Sequence, residues 1–122
     1  MTSRILFVDD DPFILRALSR ALELDFELET ALSAYDAIEM LETDGPFRVV
    51  VTDINMPGMT GIELTKVIAE RWPGTICMIL SGNQEAETEA RVNELANVVR
   101  FLHKPTANQE VASCIQKILE TA

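Results

Sequence analysis

Basic residues are scarce in this 122-residue chain: Lys plus Arg number 10 against 20 Asp plus Glu, for a formal net charge of −10. Affinity for a phosphate backbone comes from clustered Lys and Arg, and none cluster here, which disfavours direct nucleic-acid binding. An anionic membrane surface is disfavoured for the same reason. Long hydrophobic runs are also missing, since none approaches the roughly 18 residues of a spanning helix. The opening MTSRILFVDD has no extended apolar region or small-residue cleavage site. The expected location is cytoplasmic. Two cysteines, Cys77 and Cys114, lie in apolar surroundings without CxxC spacing or a nearby histidine, so they read as buried thiols in a reducing compartment. With Gly and Pro at 5 each, and no repeat, linker or low-complexity stretch, the composition is that of an ordinary globular protein. The length suits a single domain over 1–122.

What is present is an alternation of short apolar runs with helical patterns. Arg4 to Val8 reads as a first strand. Asp11 caps a helix that opens at Pro12 and turns Ile14, Leu15, Leu18, Ala21 and Leu22 inward. Phe26, Leu28 and Thr30 alternate with Glu27 and Glu29, as in an edge strand with one wet face. Ser33 and Asp36 open a helix with Ala34, Ala37, Ile38 and Leu41 inward, stopped by Asp44, Gly45 and Pro46. Val49 to Val51 runs without alternation, as a central parallel strand should. Thr60 and Glu63 form a capping box before Leu64, Val67 and Ile68, and Pro73 and Gly74 end that helix. Ile76 to Leu80 and Val98 to Leu102 read as the last strands. Between them, 84–95 reads as a helix with a thin apolar stripe and low local stability. A last helix from Asn108 turns Val111, Ala112, Ile115, Ile118 and Leu119 inward.

Five strands alternating with five helices imply an α/β fold with a doubly wound parallel sheet. The order 2-1-3-4-5 puts the alternating strand at an edge and the valine-rich strand in the centre. Ligands in such sheets bind beyond the carboxyl ends of the strands, at the switch point between the first and third.

Four of the five strands end there in groups suited to phosphoryl chemistry: Asp9, Asp10 and Asp11; Asp53; Ser81; and Lys104. Asp11 is accounted for as a helix cap. Converging carboxylates repel one another, and a hard divalent cation relieves them; an oxygen-only set with room for water suits Mg²⁺. Lys104 and the Ser81 hydroxyl offer a charge and a neutral donor for the equatorial oxygens of a phosphoryl group.

The motifs F-V-D-D at 7–10, T-D-I-N-M-P-G-M-T-G at 52–61, L-S-G at 80–82 and F-L-H-K-P at 101–105 together resemble the receiver domain of two-component response regulators, along nearly the whole chain. The intervals of 44, 28 and 23 positions from Asp9 to Asp53, Ser81 and Lys104 in turn are those of that family. The resemblance implies a flavodoxin-like (βα)5 fold in which Asp53 accepts a phosphoryl group from a phosphohistidine on a sensor kinase or phosphotransfer protein. By the same likeness, Asp9, Asp10, Asp53 and the Asn55 backbone carbonyl hold Mg²⁺, for which Mn²⁺ substitutes. Ser81 and Lys104 bind phosphoryl oxygens, and the Lys104–Pro105 bond is cis. Phe101 is the aromatic switch that turns inward as Ser81 moves. Asn55 and Asn83 flank the path of the hydrolytic water; as neutral amides they position it without acting as bases, which implies dephosphorylation within minutes or faster.

Gly58 and Gly61 read as turn residues with positive φ, His103 as a strand residue, and Met56, Met59 and Met78 as packing. The expected output surface is the face of the helix at 84–95, the fifth strand and the last helix, with Glu87, Arg91, Arg100 and Gln109 exposed on it. The effector is unassigned, a phosphorylation-linked dimer is left open, and the chain is either a stand-alone receiver or one cut from a longer regulator. The stretch from Arg91 to Pro105 is loosely similar to receivers that precede HD-type phosphodiesterase modules. Two other classes compete: a degenerate receiver acting as a constitutive interaction domain, and a small phosphatase working through an aspartyl phosphate, for which a D-x-D nucleophile pair on one strand and an insertion large enough for a lid are lacking. A nucleotide-binding module is disfavoured because neither G-x-x-x-x-G-K-[ST] nor G-x-G-x-x-G follows the first strand. The expectation is a phosphoacceptor signalling domain rather than an enzyme of metabolism.

Overall fold

In a computed structural model, residues 4–81, 98–103 and 108–121 are described. Five parallel strands, β1 (Arg4–Val8), β2 (Glu27–Ala31), β3 (Val49–Asp53), β4 (Ile76–Ser81) and β5 (Val98–His103), form one sheet in the order β2-β1-β3-β4-β5. Helices α1 (Pro12–Leu22), α2 (Ala34–Asp44), α3 (Gly61–Arg71) and α4 (Asn108–Thr121) pack on it. The expected helix at 84–95 lies outside the described residues.

Consecutive residues of a strand point to opposite faces, so a strand covered on both sides is apolar throughout. That is the state of β1 from Ile5 to Val8, where Ile5 and Phe7 enter a core with Leu15, Leu18 and Leu22 of α1 and Val111, Ile115 and Ile118 of α4. Leu6 and Val8 enter the opposite core with Ala34, Ala37 and Leu41 of α2 and Leu64 and Ile68 of α3. β3 divides likewise, Val49 and Val51 to the first core and Val50 to the second.

Two inward assignments need correction. Ala21 and Thr30 are exposed, and Ala31 is the buried residue of β2. α1 buries only the stripe Leu15, Leu18 and Leu22, and an alanine beside that stripe loses little by facing water. On the edge strand β2, Thr30 lines an open pocket with Pro12, Leu15, Arg16 and Ser19 of α1, and that pocket leaves its side chain in reach of water. Among the burials that went unforeseen are Phe47, whose ring lies under the Arg4 guanidinium at 4.4 Å, and Thr65, whose hydroxyl donates to the Ile62 carbonyl at 2.7 Å. Both cysteines are free and buried, and burial pushes the Cys77 thiol up to about 12. No helix among the described residues is long and apolar enough to cross a membrane.

Candidate functional site

β1 and β3 are neighbours with Val8 opposite Thr52, so the residues one step beyond that pair, Asp9 and Asp53, emerge side by side at the carboxyl edge. One carboxylate oxygen from each of Asp9, Asp10 and Asp53 lies within 4.8 Å of the other two. Asp9 is buried, Asp53 half-buried and Asp10 exposed. Backbone amides orient the two less exposed groups: Asp11 N–H donates to Asp9 Oδ1 and Ile54 N–H to Asp53 Oδ1, both at 2.9 Å. The Asp9 amide in turn donates to the Ala31 carbonyl at 3.1 Å, extending the β1–β2 ladder by one bond. Asp11 stands apart as the α1 N-cap, accepting from Phe13 N–H at 2.9 Å.

Three negative charges at this spacing repel by about 3 kcal/mol per pair at an effective dielectric near 20, less where water screens Asp10. A cation with a preference for hard oxygen ligands relieves that repulsion, and the donor set of carboxylates open to water on one side fits Mg²⁺.

The segment after Asp53 is shaped by two glycines in different ways. Gly58 has φ of +82°, the left-handed region where a side chain is strained. Gly61 does not have positive φ, contrary to the expectation for it. Its constraint is proximity, because a Cβ there would stand 1.9 Å from the Asp53 carbonyl oxygen. The Gly61 amide donates to the Ile54 carbonyl at 2.9 Å, which closes the loop and seats the start of α3 against the backbone of Asp53. Within the loop Asn55 is exposed, while Met56 is buried and Met59 packs on the core beneath α2 and α3.

α3 is held at this end by a complete capping box: Glu63 N–H donates to Thr60 Oγ1 at 3.2 Å and Thr60 N–H to Glu63 Oε1 at 3.0 Å. Those hydrogen bonds, the backbone one first, lower the Glu63 pKa from its ordinary 4.5, with Lys66 adding a smaller pull. A carboxyl lowered on folding stabilises the folded state at pH above 4.5 and loses that contribution as pH falls through the lowered value. Carboxyl NMR titration should find Glu63 ionising at lower pH than in a Thr60→Val variant; equal midpoints would contradict the capping account.

Ser81 ends β4 one step beyond Leu80, the register partner of Asp53, so its backbone reaches the same edge of the sheet. Phe101 is opposite Ile79 and His103 opposite Ser81 on β5. The side chains of Ser81 and Phe101, and all of Asn83, Lys104 and Pro105, lie outside the described residues. The expected cis bond at Lys104–Pro105 falls there too; among the described residues the cis bond is Gly45–Pro46. Sequence reasoning overlooked Tyr35, which lies against Gly58. It is 57% exposed, so no hydrophobic periodicity marks it.

This fold and acidic edge agree with the comparisons. The family model described as the response regulator receiver domain matches residues 5–116, and the chain belongs to that family, the receiver domains of two-component systems. It is 33% identical over 117 residues to the hydrogenase transcriptional regulatory protein HoxA of Cupriavidus necator, covering 95% of this chain and 24% of that protein. The chain therefore spans about a quarter of that relative's length. Among solved structures it resembles a CheY-like response regulator receiver domain protein of Methanospirillum hungatei JF-1, with TM-score 0.92, 27% identity and coverage of 99% of this chain and 96% of that one. The signal receiver domain of an HD domain-containing protein from Pseudomonas fluorescens Pf-5 is as similar in shape, with TM-score 0.92, 26% identity and coverage of 99% and 97%.

Proposed function

We propose that the chain is a single receiver domain in which Asp53 accepts a phosphoryl group from a phosphohistidine of a sensor kinase or phosphotransfer protein. The observation that carries this reading is the convergence of Asp9, Asp10 and Asp53 within 4.8 Å at the ends of β1 and β3. Asp53 is the central member in chemical terms: it is half-buried, and one of its oxygens is oriented by the Ile54 amide at 2.9 Å. The other oxygen attacks phosphorus, the P–O bond forms as the P–N bond to the donor imidazole breaks, and the leaving imidazole takes up a proton. Asp9, Asp10 and Asp53, with the Asn55 backbone carbonyl, hold Mg²⁺, which supplies charge neutralisation for the incoming phosphoryl oxygens. Ser81 hydrogen-bonds one of those oxygens and Lys104 pairs with another.

Hydrolysis of the acyl phosphate returns the domain to rest, with Asn55 and Asn83 positioning the water. The domain is thus a signalling element with self-catalysed phosphoryl transfer, and its output passes through Phe101 to the face of β5, α4 and the segment 84–95. A partner protein or attached effector favouring the inward ring of Phe101 shifts the population to that state.

Incubation with acetyl phosphate and mass spectrometry tests the reading. The protein should gain one phosphoryl group with Mg²⁺ or Mn²⁺ present and none in EDTA. Labelling that is indifferent to the cation would contradict it, and no labelling under either condition would favour a degenerate receiver.

A further inference from the structure

We propose that Tyr35 is a positioning residue for the loop that follows Asp53, and through that loop for the binding of Mg²⁺; this rests on the function just proposed and deepens it. Tyr35 is the second residue of α2, on a first turn held by Ser33, whose Oγ accepts from Asp36 N–H at 3.0 Å. Its neighbours Ala34 and Ala37 are fully buried in the core that also receives Met56 and, in part, Met59. Two loop side chains are therefore already tied to the body of α2.

The ring of Tyr35 adds a contact at the one point of the loop that carries no side chain. A Cβ placed on Gly58 would stand 2.8 Å from Tyr35 Cε2 and 3.2 Å from its Oη. Gly58 is also the residue with φ of +82°, where the chain turns between the Asp53 end and the Gly61 end. Both ends are anchored, one by the β3 ladder and the other by the Gly61 to Ile54 hydrogen bond of 2.9 Å. Between the buried Met56 and the part-buried Met59, Gly58 has no side chain of its own to hold it, and it is there that Tyr35 lies.

The residue is 57% exposed, so its contribution to the core is small and its effect falls on the turn. A loosened turn at Gly58 lets Asn55 and its carbonyl wander, and a cation ligand that must first be ordered binds more weakly. The nearest ring atom is Cε2, with Oη and Cζ further off, so the ring edge makes most of the contact and the hydroxyl adds a smaller part.

Calorimetric titration with Mg²⁺ and amide hydrogen exchange on wild type, Tyr35→Ala and Tyr35→Phe provide the test. Tyr35→Ala should weaken Mg²⁺ binding about tenfold, the lower end of what loss of a supporting contact behind a metal site brings, while Tyr35→Phe stays within about twofold of wild type. Exchange in Tyr35→Ala should quicken at 55–60 and stay unchanged along α2. Wild-type Mg²⁺ affinity in Tyr35→Ala, loss in Tyr35→Phe equal to that in Tyr35→Ala, or faster exchange spread through α2 would each overturn the inference. A wild-type protein that takes up no Mg²⁺ would overturn the parent function as well, and that result is seen before any variant is compared.

Discussion

Gly61→Ala should unfold about 10 °C below wild type and accept little or no phosphoryl group, although alanine is the better helix former at an exposed position. The added methyl would stand 1.9 Å from the Asp53 carbonyl oxygen, 2.9 Å from its carbon and 3.1 Å from Ile54 Cα. All three are backbone atoms, so no side chain can swing aside. Relief requires α3 to retreat or the backbone after β3 to shift, and either breaks the 2.9 Å hydrogen bond from Gly61 N–H to the Ile54 carbonyl. Overpacking costs roughly 1–3 kcal/mol and the lost bond about 1 more. The proposed phosphoacceptor suffers directly, because the displaced carbonyl belongs to Asp53 itself. Gly74→Ala is the internal control: a Cβ there meets nothing within 4 Å, and its melting and labelling should match wild type. Equal behaviour of the two variants would show that close packing on Asp53 is not what Gly61 supplies.

Asp10→Asn should melt above wild type in EDTA and below it in saturating Mg²⁺. Without a cation, the substitution removes two of the three repulsive pairs among Asp9, Asp10 and Asp53. Each pair is worth about 3 kcal/mol at an effective dielectric of 20, but Asp10 is exposed and water screens most of it, leaving about 1 kcal/mol. That corresponds to a rise of about 3–6 °C for a domain of this size. With Mg²⁺ at about 100 times its dissociation constant, wild type gains about 2.7 kcal/mol by mass action, and a variant with one charged ligand fewer gains far less. The crossing of the two melting curves is the signature. Equal Mg²⁺-induced shifts in wild type and Asp10→Asn would remove Asp10 from the cation site.

Much of the scaffold was legible because burial on both sheet faces leaves a direct trace in sequence. Val49 to Val51 reads as a central strand and lies in one, and the capping residues Asp11, Ser33 and Thr60 each accept the backbone hydrogen bond expected of them. Asp9 and Asp53 were placed together by topology alone, since neighbouring strands must end side by side. The residues that escaped are those whose role depends on what the chain meets far away. Phe47 follows a proline in a connection and has no periodic partners, yet it fills the space beneath Arg4. Gly61 looks in sequence like any turn glycine, and only the approach of α3 to Asp53 distinguishes a steric requirement from a conformational one. Tyr35 sits beside an inward stripe without belonging to it, and its partner Gly58 lies in another connection.

Peptide mapping of the phosphorylated protein tests the central claim most directly. After reaction with acetyl phosphate and Mg²⁺, the acyl phosphate should be found on Asp53, identified by borohydride reduction of that residue, and Asp53→Asn should acquire none at any position. Label on another carboxylate in wild-type protein, or undiminished labelling of Asp53→Asn, would contradict the assignment of Asp53 as the phosphoacceptor.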